Sequence, residues 1–147
     1  MTQKNKELLL KDLSVRLPYG VKCKYNCVVQ VGTLVAGKTN FIGELNGIVP
    51  LHNGHIGFMV DCDKVDALEG DIKPYLRPMS SMTEEEQKEF VHFHCINLCP
   101  VIINDMLTLD NESKMFDWLN AHHFDYRGLI DKGLAIEVTE ENNPYKE

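Results

Sequence analysis

VKCKYNCVVQVGTLVAGKTNFIGELNGIVPLHNGHIGFMVDC, residues Val21–Cys62, is the stretch that decides the fold. β-Branched and aromatic residues gather in four runs, Val21–Tyr25, Cys27–Val35, Asn40–Pro50 and His55–Cys62, separated by glycine and asparagine, which is the pattern of short strands. Gly37-Lys38-Thr39-Asn40 and His52-Asn53-Gly54 offer residues that tolerate positive φ, as tight hairpins require. Three to five antiparallel strands are therefore expected in a β-rich part covering residues 18–62. A sheet this small cannot bury itself, so it must curl into an open barrel or pack a face on helices.

Those helices lie on either side. Leu8, Leu9, Leu10 and Leu13 make Leu8–Val15 a short helix or turn that ends at Leu17-Pro18, because the residue before proline avoids the α region. Pro74 and Pro78 stiffen a connector over residues 71–82. A helical part over residues 83–133 follows, opened by Thr83 and Glu86 at capping-box spacing with three acids in the first turn. That helix starts at Glu84 and ends before Pro100. Val101–Leu107 fits strand or helix. Asp110 or Ser113 then caps a second helix of about ten residues, with Met115, Phe116, Leu119 and His123 along one stripe. Asp125 caps a turn through Ile130 that Gly133 ends, residues 134–138 form a final strand, and residues 139–147 are a polar tail. The expectation is one α+β domain over residues 1–147. It consists of a small antiparallel sheet or open β-barrel in the N-terminal half, packed with two to three helices and a final C-terminal strand.

At 147 residues the chain is the length of one domain, and 44% hydrophobic with 25% charged residues suits a folded core, with disorder confined to Met1–Lys6 and Thr139–Glu147. The net charge of −7 disfavours extended nucleic-acid binding. Lys4, Lys6, Lys11, Arg16, Lys22 and Lys24 nevertheless make the first quarter cationic, which would suit an anionic ligand there. With no apolar run near the roughly 20 residues that cross a bilayer and no secretory h-region, no membrane partner and a cytoplasmic location are expected. The five cysteines fit free thiols in a reducing compartment.

Asp117–Ile130 concentrates hydrogen-bonding aromatics, imidazoles and paired charges, and Lys73-Pro74-Tyr75-Leu76-Arg77-Pro78 supplies cations and an aromatic to complement it. Lys73, Tyr75 and Arg77 alternate on an extended segment and would project to one side. His122 and His123 sit at a helix end whose dipole favours their protonated forms, and Asp125 could orient either as a general base. The ligand-binding candidates are Lys73, Tyr75, Arg77, His122, His123, Asp125, Tyr126 and Arg127. If the protein is an enzyme, the catalytic ones are His122, His123 and Asp125. His92, Cys95 and Cys99, with Cys23 and Cys27 as further thiolates, are weak metal candidates lacking a C-x-x-C knuckle, and His52 and His55 read as loop residues. Gly32–Thr39 meets the G-x-x-x-x-G-K-[ST] pattern, but it lies among strands with no helix pattern after it. No nucleophile motif is marked and no cofactor is expected.

Leu17–Val21, Lys73–Thr83 and Trp118–Ala135 together resemble an uncharacterised family of small proteins from phages and prophages of gut Bacteroidales. The resemblance implies a setting, the cytosol of a phage host, and an accessory role such as counter-defence binding. The leading expectation is a non-enzymatic protein that sequesters a small anionic or nucleotide-like ligand, or a host protein. The alternatives are a phosphoester or nucleotide hydrolase using a His–Asp pair, and a structural component of a phage or host complex, homo-oligomeric or not. All of this requires the proline strip and the double-histidine segment to meet over a shared hollow.

Overall fold

The computed structural model describes residues 1–31, 34–50, 56–61, 63–66, 72–98 and 105–146; side chains are described outside 27–39, 56, 63–66, 92–98 and 105–111. Six strands form one sheet in the order β4-β3-β2-β1-β5-β6, with β1 Lys22–Val31, β2 Leu34–Pro50, β3 Ile56–Val60, β4 Asp63–Asp66, β5 Ile72–Leu76 and β6 Ile136–Glu137. Neighbours are antiparallel except β5 and β6, which run parallel at Tyr75↔Ile136 and Leu76↔Glu137. The fold is α+β with an open sheet and a final C-terminal strand, as the β-rich texture and the late apolar alternation predict.

One expected turn is corrected. Gly37-Lys38-Thr39-Asn40 lies inside β2, opposite β1, and β1–β2 pairing extends to Val31↔Leu34. The register jumps from Tyr25↔Phe41 to Cys27↔Lys38, so the turn-forming residues are absorbed as an extra residue in the ladder, a bulge. Asn40 takes φ 63°, and its N–H donates to Asn26 Oδ1 at 3.0 Å. His52-Asn53-Gly54 lies outside the described residues. The proline connector is corrected too: Ile72–Leu76 is a strand flanked by β1 and β6, with Pro74 opposite Cys23.

The first helix, α1 Gln3–Arg16, starts well before the Leu8 expected for it and takes Thr2 as its cap, whose Oγ1 accepts from Asn5 N at 3.3 Å. Its inward stripe is Leu9, Asp12, Leu13 and Arg16, spaced i, i+3, i+4, i+7. Leu9 and Leu13 pack on Val21, Cys23 and Tyr25 of β1, Phe58 and Val60 of β3, Ile72 and Leu76 of β5, and Leu129 and Leu134 beyond the helices. Arg16 cannot belong to a cationic face, because it is buried.

The second helix, α2 Glu84–Leu98, starts at the residue its capping box predicts: Glu86 N donates to Thr83 Oγ1 at 3.2 Å and Thr83 N to Glu86 Oε2 at 2.8 Å. The third, α3 Asp105–Ala121, has 17 residues rather than about ten, since helical continuation overrides the weak stop preferences of Asp110 and Ser113. Of the stripe assigned to it, Leu119 is buried, Phe116 is exposed, and His123 lies past the helix end. No described helix is long and apolar enough to cross a membrane.

Lys24 on β1 and Lys73 on β5 are direct cross-strand partners. Like charges opposite one another weaken a sheet, so Lys73→Glu should raise stability by about 0.2–1 kcal/mol in chemical denaturation.

Candidate functional site

The end of β5 carries the junction between the two segments singled out in the sequence. Arg77 N donates to His123 O at 2.9 Å, and Asp125 N to Arg77 O at 2.8 Å, a parallel bridge that seats residues 123–125 beside Arg77. A cleft of about 790 Å³ opens there. One wall is Arg77 with Ser81 and Thr83 ahead of α2, another is His122 and His123 at the end of α3, and a third is the tail, through Thr139, Glu140, Asn143, Tyr145 and Lys146. The proline strip and the double histidine thus share a hollow, but by Arg77, His122 and His123 alone.

The other candidates are placed elsewhere. Lys73 is exposed and lines a separate depression of about 310 Å³ with Leu9, Ile72 and Lys132. Tyr75 is buried in the sheet rather than projecting beside Lys73. Asp125 spends both carboxylate oxygens on backbone, accepting from Leu129 N and Ile130 N at 2.8 Å each, so it caps the turn and does not orient a histidine. Tyr126 donates to Asn120 Oδ1 at 3.1 Å and accepts from Arg127 Nη2 at 3.1 Å. Arg127 Nε lies 3.2 Å from Asp12 Oδ1. Tyr126 and Arg127 are internal struts. Their partners Asp12 and Arg16 are fully buried, joined by Arg16 Nε to Asp12 Oδ2 at 2.7 Å and Nη2 to Oδ1 at 3.3 Å, and Arg16 Nη2 also donates to Phe124 O at 2.8 Å. Burial raises the Asp12 carboxyl even against the lowering by Arg16 and Arg127.

Arg77 enters the cleft already engaged. Its Nη1 and Nη2 grip Glu86 Oε1 and Oε2 at 2.7 and 2.8 Å, Nη2 reaches Ser81 O at 3.2 Å, and the guanidinium lies over the Phe124 ring at 4.3 Å. The Arg77 hydrogen bonds, ahead of the Thr83 bonds, hold Glu86 down at about 2. A depressed carboxyl stabilises the fold above its unfolded value, and that contribution fades as pH falls from about 4.5 through about 2. Glu86→Gln should flatten the stability profile across that window. Glu86→Ala should cost about 1.5–3 kcal/mol at neutral pH by denaturant titration, since it strips Arg77 and uncaps α2 together.

His122 and His123 differ sharply. The His122 ring stacks on Trp118 at 4.1 Å, with Nδ1 2.9 Å from Trp118 O, and Trp118 Nε1 is tied to Glu89 Oε2 at 3.1 Å. His123 occupies the left-handed region at φ 58°, where α3 ends by Phe124 N→Leu119 O at 2.9 Å and His123 N→Asn120 O at 3.1 Å. This is a Schellman terminus, whose left-handed position favours glycine. The chain builds the same terminus again ten residues on, by Leu134 N→Leu129 O and Gly133 N→Ile130 O, both 2.9 Å, and there Gly133 occupies the strained position at φ 68°. A histidine in the first copy is therefore costly for the backbone, and its side chain must account for it. The ring lies flat on Tyr145 at 4.2 Å and 12°, and Nδ1 is buried without a partner. Burial first, then Arg16, His122 and Arg77, lowers its pKa to about 4, so the expected dipole-favoured imidazolium is not found at His123.

Composition had assigned the tail to disorder; instead it is anchored. Tyr145 donates its hydroxyl to Tyr75 O at 2.9 Å and accepts from Lys22 N at 3.1 Å, which bridges β5 and β1. Ser81, Thr83, Asn143, Tyr145 and Lys146 were not among the candidates; a single aromatic after Pro144 in a polar stretch was the available signal for the tail. Of the metal candidates, His92 and Cys95 lie on α2 with side chains outside the described part, Cys27 is likewise a backbone position only, and His52, His55 and Cys99 are outside the described residues. Cys23 is buried and its thiol is raised by burial. Among the described residues no three metal-binding side chains converge. Residues 34–39 of the phosphate-loop-like pattern are strand that continues to Pro50, and residues 32–33 lie outside the description. The chain matches no family model, no curated protein and no solved structure.

Proposed function

We propose that this is a non-enzymatic accessory binding protein of phage type, acting in the host cytosol, whose cleft sequesters a small polar, nucleotide-like ligand. The observation that carries the reading is the meeting of Arg77, His122 and His123 around about 790 Å³, a volume in the range of small-molecule sites. Ser81, Thr83, Thr139 and Asn143 add neutral hydrogen-bonding groups, and Lys146 adds a cation at the tail wall. With Arg77 neutralised by Glu86, the site favours a ligand of mixed polarity over a bare polyanion. The hydrolase alternative is weakened because Asp125, the acid of its His–Asp pair, is committed to Leu129 and Ile130.

Native mass spectrometry of the purified protein, followed by calorimetric titration with nucleosides, nucleotides and small metabolites, tests the reading. A retained or titrated ligand whose affinity drops at least tenfold in His122→Ala and in Lys146→Ala, with unchanged melting temperature, is the expected result. Absence of any binder across the panel, or binding untouched by both substitutions, overturns it. Turnover of the ligand would replace it with the hydrolase.

A further inference from the structure

A second hollow lies where the chain's cationic start meets the sheet. This depression of about 310 Å³, near the lower end of the roughly 300–1,000 Å³ of small-molecule sites, opens between the first turns of α1, the start of β5 and the turn at residues 132–134. It reaches down to the core side chains Leu9, Ile72 and Leu134. A methyl group on Gly133 would meet nothing within 4 Å beyond its chain neighbours, so that side stands open. Among the described residues two lysines and no acid line the depression. The first turn of α1 carries no acid either, whereas that of α2 holds Glu84, Glu85 and Glu86. Lys132 commits its ammonium to carbonyl groups of its own turn, Gly128 O at 2.8 Å and Arg127 O at 3.4 Å. Lys73 is exposed, and among the described residues its ammonium has neither an ion pair nor a hydrogen bond. It stands directly across from Lys24 instead. Like charges so placed weaken a sheet, and a charge that costs the fold stability points to a use outside the fold.

We propose that this depression is a second ligand site, taking a small monocarboxylate whose charged end pairs with Lys73 and whose apolar body lies over Leu9, Ile72 and Leu134. The charge balance favours a single negative charge, because Lys132 is engaged and one ammonium remains. A phosphate group is better met by a guanidinium fork or a nest of N–H groups. No arginine lines the depression among the described residues, and Gly133 N and Leu134 N already donate to Ile130 O and Leu129 O, both at 2.9 Å. The site is separate from the cleft at Arg77, so neither depends on the other.

Amide ¹H–¹⁵N spectra of the full chain, titrated with octanoate, with octanol and with inorganic phosphate, test the site. The expected result is a set of saturable shifts with octanoate at Ile72, Lys73 and Leu134. Affinity should fall about tenfold or more in Lys73→Glu and be kept in Lys73→Arg. Lys73→Glu is expected to be at least as stable as the parent, so weaker binding there is not loss of fold, and its denaturation midpoint checks this; were it less stable, Lys73→Gln makes the same comparison. Asn5→Trp, which leaves both lysines in place and narrows the mouth, should also weaken octanoate. Octanol binding as tightly as octanoate overturns the role of the charge, and phosphate shifting these amides without octanoate overturns that of the apolar floor. No shift at these residues, or octanoate binding unchanged in Lys73→Glu, overturns the site altogether.

Discussion

Asp12→Ala is expected to lower the free energy of unfolding by about 3–5 kcal/mol, a large part of the roughly 5–15 kcal/mol available to a domain. Asp12 is fully buried and is the shared counter-charge of Arg16 and Arg127, at 2.7 and 3.2 Å. Its removal strands a guanidinium that is itself wholly buried and cannot turn to water. The double variant Asp12→Leu/Arg16→Met should cost less than Asp12→Ala alone, because two buried charges leave together and their desolvation is no longer incurred. Urea denaturation followed by Trp118 fluorescence measures both. A loss below about 1 kcal/mol for Asp12→Ala would show that the pair is not closed off from solvent as described.

Acid should destabilise the protein well above the range where carboxylates titrate, by on the order of 3 kcal/mol between pH 6.5 and pH 4. The cause is His123. Its ring takes a proton near 6.5 in the unfolded chain but only at about 4 in the folded one, so between those values the unfolded state binds more protons. Stability is then full above pH 6.5, declines as pH falls toward 4, and levels off below as far as this residue is concerned. His123→Phe keeps an aromatic ring against Tyr145 and removes the proton, so the difference between the two stability profiles isolates the histidine from every other titrating group. Parallel profiles for wild type and variant across that interval would mean that the ring is hydrated.

The β-rich half was legible because period-two patterning and glycine punctuation are local signals, and the capping box at Thr83 and Glu86 was legible for the same reason. What misled were residues whose chemistry has two uses. Asn40 tolerates positive φ in a turn and also in a bulge, and only pairing across to Asn26 decides which. Pro74 suggests a linker but sits in a strand, a tertiary outcome that propensity does not contain. Asp12 and Arg16 have helical spacing to Leu9 and Leu13, yet charge normally marks a solvated face, so the core stripe of α1 was hidden by its own ion pair. Of the residues lining the cleft, Arg77, His122 and His123 had been named from residue type and local position. Tyr126, Arg127 and Asp125 looked identical in kind, and nothing short of their partners Asn120, Asp12, Leu129 and Ile130 separates strut from ligand contact. The tail wall was invisible because its contacts reach back across the chain.

That wall also dictates an order of assembly. Tyr145 meets Lys22 across 123 positions and Tyr75 across 70, whereas the β1–β2 hairpin closes within a few. Contacts so distant in sequence form late, after the nearer ones have removed most of the chain's freedom. Refolding should therefore recover sheet signal by circular dichroism before the His123–Tyr145 stack forms, and a ribosome-bound chain stalled ahead of Tyr145 would carry a folded sheet with the third wall of the cleft still missing.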